Sequence, residues 1–179
     1  MGYSDQEKLQ EFEHLKAEFD DMNLICEVLP KGHLFDDITL LVCLPSTSWQ
    51  EEDTGEELTE EDVHMASGVL LDMDDSDNRL AKYLVFYTQI RMDMTGLDEL
   101  TVLRIVNALN RTSRVGHYFY SVVEGQDGAL VQYRATVTGE DGVPLDAGVV
   151  ADTIIEMGVG YELMKQALSE AQNGTFRVG

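Results

Sequence analysis

The sequence predicts an α+β fold in which helices flank a twisted, mostly antiparallel sheet, with the element order α-β-β-β-β-α-β-β-α. Three stretches carry apolar residues at helical spacing, and the segments between them are short, apolar and bounded by turn residues. Strands and helices do not alternate strictly, which argues against a parallel doubly wound sheet. The 179 residues can bury one core and contain no linker, so we expect a single domain over residues 1–179.

The first half of the chain is predicted to form one helix followed by four strands. Residues 4–22 repeat apolar side chains every three or four positions, with Ser4 or Asp5 available as the N-cap. These apolar side chains are Leu9, Phe12, Leu15, Phe19 and Met22. The predicted strands cover residues 25–29, 38–44, 65–73 and 80–92, each bounded by Pro, Gly or Asp-rich turns.

An acidic segment over residues 46–64 interrupts these strands. Eight of the twelve residues from 51 to 62 are Asp or Glu. Such a charge run is typical of a hydrated excursion from the domain.

The second half is predicted to contain a helix, a hairpin and a long final helix. Thr95, with Asp98 three residues on, matches a capping box for a helix that ends near residue 110. Strands over 117–123 and 129–137 are joined by the turn-rich residues 124–128. The final helix covers about 146–172, and the tail 173–179 is expected to fray.

The charge balance restricts the classes of partner. Twelve Lys and Arg against 34 Asp and Glu give a formal net charge of −22. Nucleic acids and anionic membranes are therefore not expected as partners, because both bind mainly through Lys and Arg. Basic or neutral polypeptides remain, although high charge also serves solubility alone. No membrane-spanning run or secretory signal is visible, so a cytoplasmic protein is expected.

The usual catalytic and metal-binding motifs are missing from the sequence. His14, His33, His64 and His117 are far apart, and none has another ligand at metal-binding spacing. Residues 72–78 begin like an EF-hand loop, but Asp77 stands where glycine is needed and Tyr83 where glutamate is needed. Adventitious calcium binding there stays open. We expect no catalytic residue, no metal site and no cofactor.

Three further features leave alternatives open. An unrecognised carboxylate pair could still make the chain a small hydrolase or isomerase. Gly158-Val159-Gly160 is a fragment of a dinucleotide motif, but a kink or close helix packing explains it better. Cys26 and Cys43 lie in apolar stretches and are expected to behave as core residues.

Both later helices carry more apolar surface than one core face needs. In the helix ending near 110 the predicted core face contains Leu97, Leu100, Leu103 and Val106, and Val102, Ile105 and Leu109 lie largely on a second face. In the final helix the predicted core face contains Val150, Ile154, Met157, Tyr161, Met164 and Leu168. Its predicted second face contains Ile155, Val159 and Leu163.

These second faces are the predicted contact surfaces. Val102, Ile105 and Leu109 would mediate self-association, and Ile155, Val159 and Leu163 contact with a second copy or a partner. A symmetric homodimer is the expected form of self-association. The alternative is that the first helix or the acidic segment covers them within one chain.

The stretch from about residue 97 to 168 resembles the YbjN-type family, described as sensory transduction regulators. The resemblance rests on Val106-Asn107-Ala108-Leu109-Asn110, on Gly116-His117-Tyr118-Phe119, and on the hairpin into Leu130-Val131-Gln132-Tyr133-Arg134 before a long terminal helix. It implies the fold of class I type III secretion chaperones, which are commonly dimeric. It also implies no catalytic residues, and a polypeptide partner held in extended form along sheet edges and apolar patches.

Overall fold

A computed structural model shows the chain as three helices and one six-stranded antiparallel sheet. The α+β class and the predicted element order are confirmed. The helices are α1 (Asp5–Asp21), α2 (Glu99–Asn110) and α3 (Ala147–Gln172). The strands are β1 (Cys26–Leu29), β2 (Thr39–Leu44), β3 (His64–Leu70), β4 (Ala81–Gln89), β5 (Gly116–Val122) and β6 (Ala129–Glu140).

The structure describes residues 2–32, 35–46, 63–72, 80–122 and 129–176. Most of the predicted acidic excursion over 46–64 lies outside these residues. The hairpin joint 124–128 and all but the first residue of the 72–78 turn also lie outside them.

The sheet has the strand order β1-β2-β3-β4-β6-β5, so β1 and β5 form its edges. The two halves of the chain meet where β4 pairs with β6, from Ala81 opposite Glu140 to Gln89 opposite Gln132. This long antiparallel ladder joins the four strands of the first half to the later hairpin in one sheet.

All three helices pack on the same face of the sheet. α3 crosses the middle of the sheet, in contact with β2 and β6, and it touches both other helices. α1 lies over β1, and α2 lies over β5. The shared core between sheet and helices contains Phe12, Leu40, Phe86, Ile105 and Ile154, all fully buried.

Helix α1 begins at one of the two predicted N-caps and ends within one residue of the predicted boundary. Ser4 is the N-cap, and its side chain forms a capping box with Glu7. Asn23, with φ 56°, ends the helix in the left-handed region that asparagine tolerates. Phe12, Leu15 and Phe19 of the predicted stripe are buried, and Leu9 and Met22 at its ends are exposed.

Helix α2 begins later than the capping pattern predicted. Thr95 is not the N-cap, because both its amide and its hydroxyl donate to Asp93 in a turn. Gly96 follows with φ 88°, which a helix cannot include. The N-cap is Asp98, whose carboxylate accepts a hydrogen bond from the Thr101 amide.

The end of α3 is held by backbone hydrogen bonds. Asn173 is the C-cap and Gly174 has φ 69°. The Thr175 and Phe176 amides both donate to the Glu170 carbonyl. Of the tail 173–179 predicted to fray, residues 173–176 therefore follow the helix closely, and 177–179 lie outside the described residues.

Candidate functional site

The outer face of α3 is the exposed apolar surface that the sequence predicted. The predicted core face of this helix is confirmed, since Val150, Ile154, Met157, Tyr161, Met164 and Leu168 are each at most 1% exposed. On the opposite side Ile155, Val159 and Leu163 are 45%, 40% and 48% exposed. Their four-residue spacing aligns them over about 12 Å of helix. We call these three residues the α3 stripe.

Carboxylates line both sides of the α3 stripe. Asp152 is exposed one turn before Ile155. Glu156 pairs with Arg114 at 3.2 Å, and Glu162 lies beside His64 at 3.2 Å. Both glutamates keep about a third of their side chains exposed, 35% and 32%. The stripe is therefore an apolar ridge with an acidic rim.

The assignment of faces was wrong for five of the seven apolar residues in and before α2, since only Leu97 and Val106 lie where predicted. Val102 and Ile105 are 2% and 0% exposed in the core, and Leu109 packs against it. Val102 and Ile105 cannot contact a partner while the domain is folded, whereas Leu109 is only partly buried. Leu100 and Leu103, assigned to the core face, are 56% and 40% exposed.

Helix geometry explains this reversal. Each residue advances about 100°, so steps of three residues rotate a stripe backwards by about 60° each time. Leu100 and Val106, six residues apart in the helix, therefore differ by about 120° and do not share a face. Val102, Ile105, Val106 and Leu109 follow the mixed three- and four-residue spacing of a core face.

Close packing fixes the distance between α3 and the sheet. A Cβ at Gly158 would lie 2.2 Å from the Pro45 carbonyl oxygen, and one at Gly160 would lie 2.8 Å from the Tyr118 hydroxyl. The predicted role of Gly158-Val159-Gly160 in close packing is confirmed. Only glycine lets the helix backbone come this near.

Two stacked tyrosines lie beneath α3 on the last two strands. The rings of Tyr118 and Tyr133 are 4.3 Å apart. The Tyr118 hydroxyl donates to the Gly160 carbonyl at 2.7 Å, and the Tyr133 hydroxyl is 2.9 Å from Ser113. Burial raises the pKa of Tyr118 well above its ordinary value, and it raises that of Tyr133 despite the Ser113 hydrogen bond.

The open edge of β5 is partly closed by a side chain of α2. The Asn110 side-chain amide donates to the Tyr118 carbonyl, and its oxygen accepts from the Tyr118 amide. Asn110 thus replaces one residue of a neighbouring strand. The Ser113 hydroxyl likewise donates to the Gly116 carbonyl. Together with the short β1, this limits pairing of another chain at the sheet edges.

A cluster of polar side chains lies at the second half of α3, where this helix faces the sheet. His64, at the start of β3, stacks on Tyr161 with ring centroids 4.0 Å apart. Glu162 accepts a hydrogen bond from Ser46 and lies beside His64. The Tyr161 hydroxyl accepts from the Arg91 amide, and burial raises the pKa of Tyr161. These contacts hold α3 against the end of β2 and the start of β3.

Two buried lysines form ion pairs with carboxylates of distant segments. Lys8 bridges Asp37 and Asp72, the first residue of the EF-hand-like turn. Burial alone would lower the pKa of Lys8, but these two hydrogen bonds outweigh it and raise the pKa. Lys82 pairs with Glu11. Asp37 and Asp72 therefore meet around one ammonium group, and Glu11 faces another.

A cleft of about 410 Å³ lies between α1 and the turn after β6. Tyr3, Glu11, His14, Lys82 and Asp141 contribute polar groups to its wall. Most of these groups bond to one another: the Tyr3 hydroxyl donates to Asp141, and Glu11 accepts from Lys82 and from the Leu145 amide. The polar groups of the wall therefore bind one another and hold α1 to the segment after β6.

Neither a metal-binding cluster nor a membrane span occurs in the described part of the chain. No group of three or more His, Cys, Asp or Glu side chains converges there. No described helix is long and apolar enough to cross a bilayer. Cys43 is buried and Cys26 is partly buried, both as free thiols.

Comparison with protein-family models, curated proteins and solved structures finds no match to this chain. The resemblance to the YbjN-type family therefore stays a prediction.

Proposed function

We propose that this chain is a non-enzymatic protein-binding or regulatory module whose α3 stripe contacts a partner polypeptide. The observation that supports this is the exposure of Ile155, Val159 and Leu163 on a helix with twelve buried residues. Covering apolar surface stabilises a complex by roughly 25 cal/mol per Å². A partner that covers these three side chains would therefore gain binding energy from a surface that is already ordered.

The rim of the α3 stripe selects the chemistry of the partner. Asp152, Glu156 and Glu162 border the apolar side chains, and the whole chain carries a net charge of −22. A segment with Leu- or Ile-type residues on one side and Lys or Arg beside them complements this surface. An amphipathic helix offers such an arrangement at the same four-residue spacing.

An extended partner along a sheet edge is the mode that the family resemblance implies. Asn110 occupies the outward backbone groups of Tyr118 on β5, and β1 is only four residues long. We therefore assign the main contact to the α3 stripe.

Self-association through the same stripe is the second form of the proposal. A two-fold axis at Val159 would set Ile155 of one copy against Leu163 of the other. It would also bring Glu156 of one copy near Glu162 of the other, and like charges oppose this contact. The dimer is therefore expected to be weaker than a complex with a basic partner.

A defined peptide tests the proposal. The probe is a dye-labelled 18-residue Leu/Lys peptide that forms an amphipathic helix, and a scrambled peptide of the same composition controls for charge alone. We expect Val159→Ser to weaken binding of the amphipathic peptide about tenfold, because it removes the central apolar contact.

Val149→Ser is the matched control, since Val149 is 52% exposed on the same helix and lies about 15 Å along the helix from Val159. It should change the affinity less than about twofold. Equal binding of the two peptides, or equal effects of the two substitutions, would contradict the proposal. Sedimentation of the same variants reports on the dimer.

A further inference from the structure

The second face of the sheet carries an aromatic and cationic patch near β5. No described helix packs on this face. The strand register places Tyr87, Arg134 and His117 in one row across β4, β6 and β5. Gln89, Gln132 and Phe119 form the next row on the same face. We call these six residues the sheet patch.

Arg134 is at the centre of the sheet patch and its guanidinium is held in position. It lies 5.6 Å from the centroid of the Tyr87 ring, within the range of a cation–π interaction. Tyr87 and Phe119, on either side, are 36% and 45% exposed. A positioned guanidinium between exposed rings is suited to bind a carboxylate through two parallel hydrogen bonds.

Arg134 forms no ion pair with any carboxylate among the described residues. Acidic residues outnumber Lys and Arg 34 to 12 in this chain. By contrast, Lys8, Lys82 and Arg114 each have an acidic partner. The guanidinium of Arg134 is thus available to an anion from outside.

The described strands place no carboxylate close to the sheet patch. The described acidic residues on this face of the strands are Glu27, in the same row but four strands away, and Glu140, six residues along β6. Both lie about 20 Å from Arg134 by strand geometry. Electrostatic screening acts over about 8 Å at physiological ionic strength, so these two carboxylates contribute little to the potential at the patch.

The sequence before and within β5 contains arginines but no acidic residues. No Asp or Glu occurs from residue 100 to residue 123, while Arg104, Arg111, Arg114 and His117 do. The three arginines are the only Lys, Arg, Asp or Glu residues in this stretch, and Arg114 is paired with Glu156.

We propose that the sheet patch binds a short, extended, acidic segment of a partner protein, with a carboxylate on Arg134 and an apolar or aromatic side chain against Phe119. Gln89, Gln132 and His117 supply hydrogen-bonding groups beside the guanidinium. A long polyanion does not fit, because it would extend beyond the patch toward the acidic remainder of the surface. This surface is distinct from the α3 stripe, which lies on the helix side of the sheet.

The test is an NMR titration of the whole chain with a seven-residue peptide in which Gly and Ser flank a central Glu-Phe-Glu. We expect amide shifts concentrated in β4, β5 and β6. Arg134→Gln should weaken binding about tenfold through loss of the charge-assisted pair, and Arg134→Lys should weaken it less. Arg104→Gln changes an exposed arginine that also lacks an ion pair among the described residues, and it should change binding less than about twofold.

Three control ligands test whether binding needs the carboxylates, a polypeptide and the sheet patch. A peptide with Gln in place of both Glu residues should bind at least about tenfold more weakly, and an oligouridylate of equal charge should not shift the patch. The Leu/Lys peptide should shift α3 and leave the patch unchanged. Absence of binding, equal affinity for the Gln peptide, an effect of Arg104→Gln equal to that of Arg134→Gln, or binding of oligouridylate at the patch would overturn the proposal.

Discussion

Helices α2 and α3 look alike in sequence but differ in what their outer faces offer. α3 crosses the centre of the sheet between two other helices, and twelve of its 26 residues are buried. α2 lies over the edge strand β5 and buries three of its twelve residues. Each has exposed aliphatic side chains, but only on α3 do three of them align at four-residue spacing. Only on α3 does the spacing of the exposed apolar side chains bring them together, and there they form the proposed contact surface.

Matched substitutions on the two helices should give the largest contrast. Ile105→Glu places a charge in the core and should lower the free energy of unfolding by more than about 4 kcal/mol. Ile155→Glu, on the exposed stripe, should lower it by less than about 1 kcal/mol. Urea denaturation followed by circular dichroism measures both. Similar losses for the two variants would show that the faces are wrongly assigned.

The glycines of α3 test how closely this helix must approach the sheet. Gly158→Ala should destabilise the fold by about 1–3 kcal/mol, because its methyl group overlaps the Pro45 carbonyl. Gly148→Ala, in the first turn of the same helix, meets only the Asp146 carboxylate at 3.2 Å. It should change stability by no more than about 1 kcal/mol. If thermal denaturation shows equal effects, α3 does not depend on the close contact.

The closed edge of β5 can be opened by one substitution on α2. Asn110→Ala removes both hydrogen bonds to the Tyr118 backbone and should cost about 1–2 kcal/mol. Asn107→Ala, on an exposed position of the same helix, should cost less than about 0.5 kcal/mol. Amide hydrogen exchange at Tyr118 should become faster only in the first variant. Unchanged exchange there would show that Asn110 does not protect the edge.

Alkaline pH should weaken the contact between α3 and the tyrosines beneath it. Burial raises the pKa of Tyr118, Tyr133 and Tyr161, so the folded state keeps these protons above the ordinary pKa of 10.0. Their contribution to stability is complete below pH 10.0 and falls as the pH rises beyond it.

Tyrosinate absorbance measured alongside denaturation checks this. Tyr118→Phe, which removes one titrating group, should make the alkaline loss of stability shallower than in the unchanged chain. An identical pH profile would show that Tyr118 does not contribute to it.

Much of the fold could be predicted because it depends on local patterns. The order of nine elements, the Ser4 cap and the core face of α3 follow from spacing and turn chemistry. The start of α2 could not be chosen correctly from the sequence, since Thr95 and Asp98 both match capping residues. Only the turn at Gly96 decides between them.

The contacts that define the surfaces depend on residues far apart in the chain. Arg134 meets Tyr87 from the neighbouring strand, and Glu162 meets His64 across nearly a hundred residues of sequence. No local motif marks these pairs. Helical angles alone are enough to place Ile105 on the core face of α2. The position of Arg134 on an open sheet face, in contrast, can be found only from the strand register.

The most direct test of the α3 stripe is a methyl NMR titration of the unaltered chain with the amphipathic Leu/Lys peptide. We expect saturable shifts of the Ile155, Val159 and Leu163 methyl groups, with little change at the buried Ile105 and Val102 methyl groups. Saturable binding that leaves the three stripe methyl groups unperturbed would contradict it.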